Sequence, residues 1–178
     1  DKAEYAELIE DLRKTCEENL DGSMIFATDD EVIFAGGWNM TETDEKTIVN
    51  PYTTYEIGEL TIPMTAAAIL QLVQDGKLKM SDTIEDYFPD LPYGDKITIE
   101  HLIYMKPGIP DVLYEPDKFF ESAVEAGKDP VQVGEDFKNG AISDQELLEY
   151  LYKTEYKEES IGPTYLTPVN YVLLAHIL

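Results

Sequence analysis

The sequence predicts an α+β fold in which helices dominate and the β-sheet is small. Apolar residues recur at three- and four-residue spacing in several segments, the first of them at residues 3–19. Only one pair of β-rich runs stands out, at residues 23–28 and 31–36. The chain has 178 residues, of which 43% are hydrophobic. This length is enough for one compact domain with its own core.

The N-terminal part is expected to form a helix followed by a β-hairpin. The helix over residues 3–19 is indicated by the spacing of its apolar side chains and ends at Asp21-Gly22. Asp29-Asp30 joins the two β-rich runs as a hairpin turn, and Gly36-Gly37 ends the second run. Because both runs are continuously apolar, we expect them to be covered on both faces.

The remainder of the chain is predicted to be mostly helical. Pro63 suits the first turn of a helix that runs to Gln74 and ends at Asp75-Gly76. A short helical run is expected over residues 84–88, stopped by Pro89. Further helices are expected at residues 99–104, 116–127 and 144–152, and from Thr167-Pro168 to Leu178. The last helix meets Leu178 without a stop signal, so we expect that the chain is cut there.

The charge balance excludes several classes of partner. Thirteen Lys and Arg residues against 37 Asp and Glu residues give a net charge of −24, which would repel a nucleic-acid backbone.

No apolar stretch is long enough for a membrane span, and the first residues lack a signal-peptide pattern. Cys16 is the only cysteine and is expected to be a packed thiol, while His101 and His176 are far apart in sequence. No metal or cofactor is therefore expected.

A series of motifs after the first helix has a specific order. The hairpin at residues 22–37 is followed by the loop 51–58 and by the helical block 64–78. Shorter blocks follow at residues 82–89, 97–103, 108–111 and 170–174. In this order the chain resembles the serine β-lactamase-like or penicillin-binding family, within it the group of class C β-lactamases and D-alanyl-D-alanine carboxypeptidases. The resemblance covers nearly the whole chain from about residue 22.

The resemblance implies acyl transfer through a serine ester, with an S-x-x-K motif opening the helix and a Y-x-N motif in the helical lobe. At the Ser and Lys positions this chain has Glu59 and Ile62. At the Tyr and Asn positions it has Leu166 and Pro168, and residues 105–108 replace the usual His-Thr-Ser-Gly. The family's third, basic motif would fall beyond Leu178. We therefore expect no catalytic residues at the positions that can be compared.

Other residues offer weaker candidates for chemistry. Thr61 lies in the same turn as Glu59, and T-x-x-K patterns occur at residues 43–46 and 154–157, outside the matching helix. Glu59 is interpreted as a partner of the helix dipole. As a general acid or base it would need a second group, such as Asp111 or Glu56.

The resemblance implies a single partial β-lactamase-like domain over residues 1–178, with an N-terminal helix and hairpin at 1–58, a helical lobe at 59–178 and an incomplete sheet. We expect an inactive module that binds a peptide, a cell-wall fragment or a protein partner. The alternative is an enzyme of the same family with a rebuilt site or one completed by a missing C-terminal half, and a third interpretation is a cut fragment without a function of its own. A homo-oligomer or a second chain is expected to complete the fold, and export is expected by family resemblance alone.

Overall fold

The computed structural model describes residues 2–39, 49–111, 116–164 and 166–178. The chain divides into two compact units, Asp1–Glu56 and Ile57–Leu178. Helices make up most of the regular structure, and the sheet in the described residues has only two strands. The predicted helix-dominated α+β class with an incomplete sheet is thus confirmed.

The N-terminal unit begins with the predicted helix. A 3-10 turn at Lys2–Tyr5 leads into α1, Ala6–Asn19. Cys16 is the buried residue of α1, and its thiol lies 3.7 Å from the sulfur of Met24 on the first strand. Cys16 therefore packs the helix against the hairpin, as expected of a small apolar side chain.

The hairpin follows α1 and pairs two antiparallel strands. β1 covers Gly22–Ala27 and β2 covers Val32–Trp38, with Gly22 opposite Trp38 and an irregularity between Phe26 and Ala27. Ile33 and Phe34 are buried, whereas Ile25 is 59% exposed and Val32 is 51% exposed. Within the described chain the hairpin is thus covered on one side only, so the expected coverage of both faces is not met there.

The C-terminal unit is a cluster of short helices. A 3-10 turn at Gly58–Thr61 opens α2, Ile62–Gln74, and α3 covers Ile99–Ile103. The later helices are α4 Pro116–Glu125, α5 Pro130–Lys138, α6 Asp144–Lys153 and α7 Val169–Ile177, with a 3-10 turn at Glu158–Ser160 before α7. α7 packs against both α2 and α3.

Side-chain hydrogen bonds cap the first turns of α3 and α6. The hydroxyl of Thr98 accepts the amide of His101, and the ring Nδ1 of His101 in return accepts the amide of Thr98. Ser143 and Glu146 form the same reciprocal arrangement at α6. These bonds satisfy amide groups that have no partner within the helix.

One helix prediction is wrong, and one helix was not predicted. Residues 84–88 form one hydrogen-bonded turn, with Phe88 N 2.9 Å from Ile84 O, and no helix. Pro89 ends the turn, and Ile84 is held in extended pairing by the carbonyl of Ile97 at 3.0 Å. In contrast, α5 was not predicted, although Asp129 caps it and Pro130 occupies its first turn.

The core of the C-terminal unit joins residues from most of its helices. Ile69, Ile97, Ile99, Leu102 and Leu173 are among its fully buried side chains. The core contains the second half of α2 through Ile69 and the start of α7 through Val169, so it fixes these two segments.

Candidate functional site

The turn that opens α2 carries the first pair of candidate residues. Gly58 has φ +50°, a left-handed conformation that glycine adopts without strain, and the amide of Leu60 bonds the carbonyl of Ile57 at 3.0 Å. Glu59 is exposed in this turn, and Ile62 begins α2 half-buried. The hydroxyl of Thr61 donates to the carbonyl of Gly58 at 2.9 Å, so the backbone already uses that hydroxyl proton.

The start of α7 carries the second pair. Thr167 is buried, and its hydroxyl accepts the amide of Val169 at 3.3 Å, while Pro168 already has helical dihedral angles. Leu166 is 57% exposed. A leucine and a proline side chain carry no group that exchanges a proton, so this pair contributes shape alone.

A groove of about 500 Å3 joins these two segments within the C-terminal unit. It brings Glu59, Ile62 and Pro168 together, but Leu166 is not among the residues that line it. The complete lining is Gly58, Glu59, Thr61, Ile62, Thr65, Asp144, Pro168, Tyr171, Val172 and Ala175. Three of the four positions singled out by the family resemblance thus share one surface.

Two groove residues were missed by sequence reasoning. Asp144 comes from the first turn of α6, where it reads as an ordinary helix-start acid, and Tyr171 reads as a packing residue of α7. The carboxylate of Asp144 lies 3.5 Å from Nε2 of His176 on α7. This contact brings the first residue of α6 to the groove, and no local pattern indicates it.

Tyr171 is engaged by the protein. Its hydroxyl donates to the carbonyl of Ile103 at 3.0 Å, and burial raises the pKa of this phenol above its usual value. A phenol that is neutral and already donating is a poor general base at neutral pH. Tyr171 is therefore a wall of the groove.

The groove lining has a limited chemical repertoire. Its charged members are the carboxylates of Glu59 and Asp144, and its described lining includes no lysine, arginine, histidine, cysteine or serine. The proton acceptors among the charged lining residues are thus these two carboxylates, and no lysine stands where S-x-x-K would place one. The arrangement suits contact with an apolar group or a cation better than acyl transfer.

The segment 105–108 lies beside the start of α7. Met105 has φ +58°, and its sulfur accepts a hydrogen bond at 3.3 Å from the side-chain Nδ2 of Asn170, a fully buried residue. Gly108 has φ +72°, and a Cβ placed on it would come within 2.5 Å of the backbone of Ser160. Only glycine fits this close approach, so Gly108 is required by the path of the chain beside Ser160.

The other sequence candidates lie elsewhere. Asp111 is buried and lines a different hollow with Lys118, and Glu56 is the last residue of the N-terminal unit. Thr154 donates its hydroxyl to the carbonyl of Tyr150 at 2.8 Å, and Lys157 is largely exposed. The T-x-x-K pattern at residues 43–46 lies outside the described residues. Neither Asp111 nor residues 154–157 reach the groove.

The described residues contain neither a cluster of metal ligands nor a helix that could span a membrane. Across residues 2–39, 49–111, 116–164 and 166–178, no three His, Cys, Asp or Glu side chains cluster as metal ligands. In the same part of the chain, no helix is long and apolar enough to cross a membrane.

Comparisons with known proteins give consistent results. The Beta-lactamase family model matches residues 12–178. The "Putative penicillin-binding protein PbpX" of Bacillus subtilis (strain 168) is 31% identical over 88 residues, covering 49% of this chain and 22% of that protein. Protein flp of Staphylococcus aureus (strain NCTC 8325 / PS 47) is 29% identical over 100 residues, covering 53% of this chain and 20% of that protein.

A solved structure matches across almost the whole chain. The octameric penicillin-binding protein homologue from Pyrococcus abyssi superposes with a TM-score of 0.61 at 26% identity, over 99% of this chain and 38% of that one. The matched segments span about a fifth of the length of the curated relatives.

Proposed function

Because the chain belongs to the Beta-lactamase family, we propose that it is a catalytically silent β-lactamase-like module whose groove at the start of α2 binds a ligand. The ligand is a peptide, a cell-wall fragment or a segment of a protein partner. The family resemblance suggests the ligand classes, and the groove residues support binding without turnover.

The observation that carries the proposal is the pair Glu59 and Ile62 on the groove wall. Glu59 is an exposed carboxylate, which is a weak nucleophile compared with an activated serine hydroxyl. Ile62 holds no proton-accepting atom, so the turn contains no base one helical turn after the nucleophile position. Thr61, the nearest hydroxyl, donates to the backbone of Gly58.

Charge also opposes the family's usual reaction in this groove. The resemblance implies substrates that carry a carboxylate, which the basic third motif would bind. Here the charged lining residues, Glu59 and Asp144, are both anionic. A carboxylate ligand would meet repulsion from both of them, whereas an apolar or cationic group would not.

The alternative is an enzyme with a rebuilt site, or one that other parts of the protein complete. The names of the penicillin-binding relatives are compatible with this alternative, because the family contains active enzymes. Within the described residues the groove offers no lysine beside Thr61 or Thr65, so this alternative depends on the carboxylates of Glu59 and Asp144 or on groups from elsewhere. Covalent labelling of the chain by a penicillin distinguishes this alternative from the inactive module.

The setting of the module is part of the same proposal. By family resemblance the protein acts outside the cytoplasm. Exposed apolar side chains at Leu60, Met64 and Leu70 support burial by a second copy or a second chain. The octameric state of the Pyrococcus abyssi homologue makes self-association a reasonable expectation for this chain as well. The net charge of −24 argues against a nucleic-acid partner.

Intact-mass spectrometry after incubation with a penicillin tests the absence of acyl transfer. We expect no stoichiometric adduct on the full chain, because the turn at Glu59 has neither a serine nor a lysine. A known serine β-lactamase treated in parallel shows that the reagent is active, and Thr61→Ala identifies any reaction at the nearest hydroxyl. An adduct within residues 58–66 would overturn the proposal in favour of an enzyme.

A further inference from the structure

Three tyrosines border a second hollow in the C-terminal unit. The hollow measures about 580 Å3 and is lined by Pro92, Tyr93, Tyr152, Lys153, Thr154, Glu155 and Tyr156. None of these residues lines the groove at α2. The tyrosines come from two distant segments, one before α3 and one at the end of α6, and all three pack against the core.

The rings of Tyr93 and Tyr156 form a corner. Their centroids lie 5.5 Å apart and their planes meet at 67°. The hydroxyl of Tyr156 donates to the carbonyl of Pro92, which fixes the ring by its far end. Tyr93 itself has φ +59°, a conformation that a bulky residue adopts only where its surroundings impose it. The corner is therefore built by the fold and does not depend on a flexible surface side chain.

An ammonium group already lies against this corner. Nζ of Lys96 lies 5.8 Å from the centroid of the Tyr93 ring and 2.6 Å from a carboxylate oxygen of Glu158. The negative face of an aromatic ring attracts a cation at this distance. Neither Lys96 nor Glu158 lines the hollow, but their contact shows that the Tyr93 ring has a cation beside it.

The end of α6 and the residues after it add a tyrosine and a carboxylate to the hollow. Tyr152 and Glu155 both line it. The pKa of Tyr152 is raised, mainly by burial and in addition by the negative charge of Asp90 nearby. One tyrosine and one carboxylate therefore line the hollow in this segment.

We propose that this tyrosine hollow binds a quaternary ammonium group. Such a group has no N–H donor and needs ring faces, whereas a primary ammonium is strongly hydrated and prefers oxygen acceptors. The ammonium of Lys153, which also lines the hollow, repels any cation there. Glu155 and the strongly negative chain add long-range attraction.

NMR titration of the full chain labelled at its tyrosine rings tests the proposal. The probes are choline and 3,3-dimethyl-1-butanol, which has the same shape without the charge. We expect choline to shift the ring signals of Tyr93, Tyr152 and Tyr156 and to bind about tenfold more tightly than the neutral alcohol. Equal binding of the two probes, or no shift with choline, would overturn it. Phosphocholine distinguishes a free ammonium compound from a lipid head group: binding as tight as that of choline favours the head group, and weaker binding favours the free compound.

Variants separate this site from a general surface effect. Tyr152→Leu keeps an apolar contact with the core and should weaken choline binding about fivefold, as expected for the loss of one cation–π contact. Tyr104→Leu, at an exposed tyrosine outside the hollow, is the matched control and should bind as the parent does. Glu155→Gln, on the exposed rim, gives a second measurement if Tyr152→Leu fails to fold. Unchanged binding in both Tyr152→Leu and Glu155→Gln would contradict the assignment.

Discussion

Glu146 binds three groups at the start of α6, and its charge matters for each. Its carboxylate accepts the amide of Ser143 at 2.8 Å and the hydroxyl of Ser143 at 2.7 Å, and it pairs with the ammonium of Lys128. The bonds from Lys128 and Ser143 hold the pKa of Glu146 down at about 2. The ionised form therefore stabilises the fold at neutral pH.

The sign of the pH dependence follows from this lowered pKa. The stabilisation by Glu146 is present above the unfolded pKa, near 4.5, and is lost as pH falls toward about 2. Glu146→Gln keeps a capping side chain but removes the charge. At pH 7 we expect it to reduce the free energy of unfolding by about 1–2 kcal/mol, since partial solvent exposure screens the pair.

Urea unfolding of parent and Glu146→Gln between pH 7 and pH 3 measures the effect. The difference in unfolding free energy should narrow as pH falls below 4.5. Glu135→Gln, at an exposed position of α5, controls for the removal of one negative charge. A difference that stays constant over the whole pH range would show that the charge of Glu146 is not the cause.

At the level of elements, α2 has two contrasting faces. The helix carries no charged residue over its 13 positions, and it buries Ile69 completely while leaving the adjacent Leu70 46% exposed. A helix that is apolar on all sides is usually covered on all sides. One face meets α7 and the core, and the other carries Met64 and Leu70 at the surface.

The pair Ile69→Ala and Leu70→Ala tests this contrast within one helix. Ile69→Ala should cost about 2–5 kcal/mol of unfolding free energy, because it leaves a cavity in the core. Leu70→Ala removes a side chain of similar size from an exposed position of the same helix. It should therefore lower the unfolding free energy by less than about 1 kcal/mol. Chemical denaturation at low protein concentration measures both, and equal losses would mean that the outer face is covered too.

The charge of the whole molecule competes with its exposed apolar surface. A net charge of −24 drives copies apart, but salt screens repulsion between exposed charges over about 8–10 Å. Burial of apolar surface contributes roughly 25 cal/mol for each Å2 and does not weaken with salt. We therefore expect the chain to self-associate at physiological ionic strength and to do so more strongly as salt is raised.

Light scattering on the purified chain checks this expectation. The double variant Met64→Glu/Leu70→Glu adds two charges to the outer face of α2 and should shift the chain toward monomer. Val131→Glu, at a 70% exposed position on α5, is the control for an added charge elsewhere. A well-folded monomer at micromolar concentration in physiological salt, with cooperative thermal unfolding, would contradict the prediction.

Local signals along the chain determined the helices and the hairpin. Apolar spacing located α1, and Pro63 with Asp75-Gly76 marked the two ends of α2. α5 was not predicted because Val133 is the one buried side chain of this helix, which leaves a weak apolar pattern. The sequence Asp129-Pro130 is nevertheless typical of a helix start. The order of the family motifs along the sequence also identified Glu59, Ile62, Leu166 and Pro168 as the residues at the family's Ser, Lys, Tyr and Asn positions. That these four residues have no catalytic function stays a prediction.

Tertiary structure alone decided which distant residues meet. Asp144, the first residue of α6, meets His176 of α7 at the groove, and Tyr156 bonds the carbonyl of Pro92, 64 positions away. Leu166 was expected with Pro168 but is absent from the groove lining. Helix spacing and caps depend on neighbours within about four residues, so a single sequence reveals them. The meeting of two segments depends on how helix faces interlock in the core, and that information exists only in the packed fold.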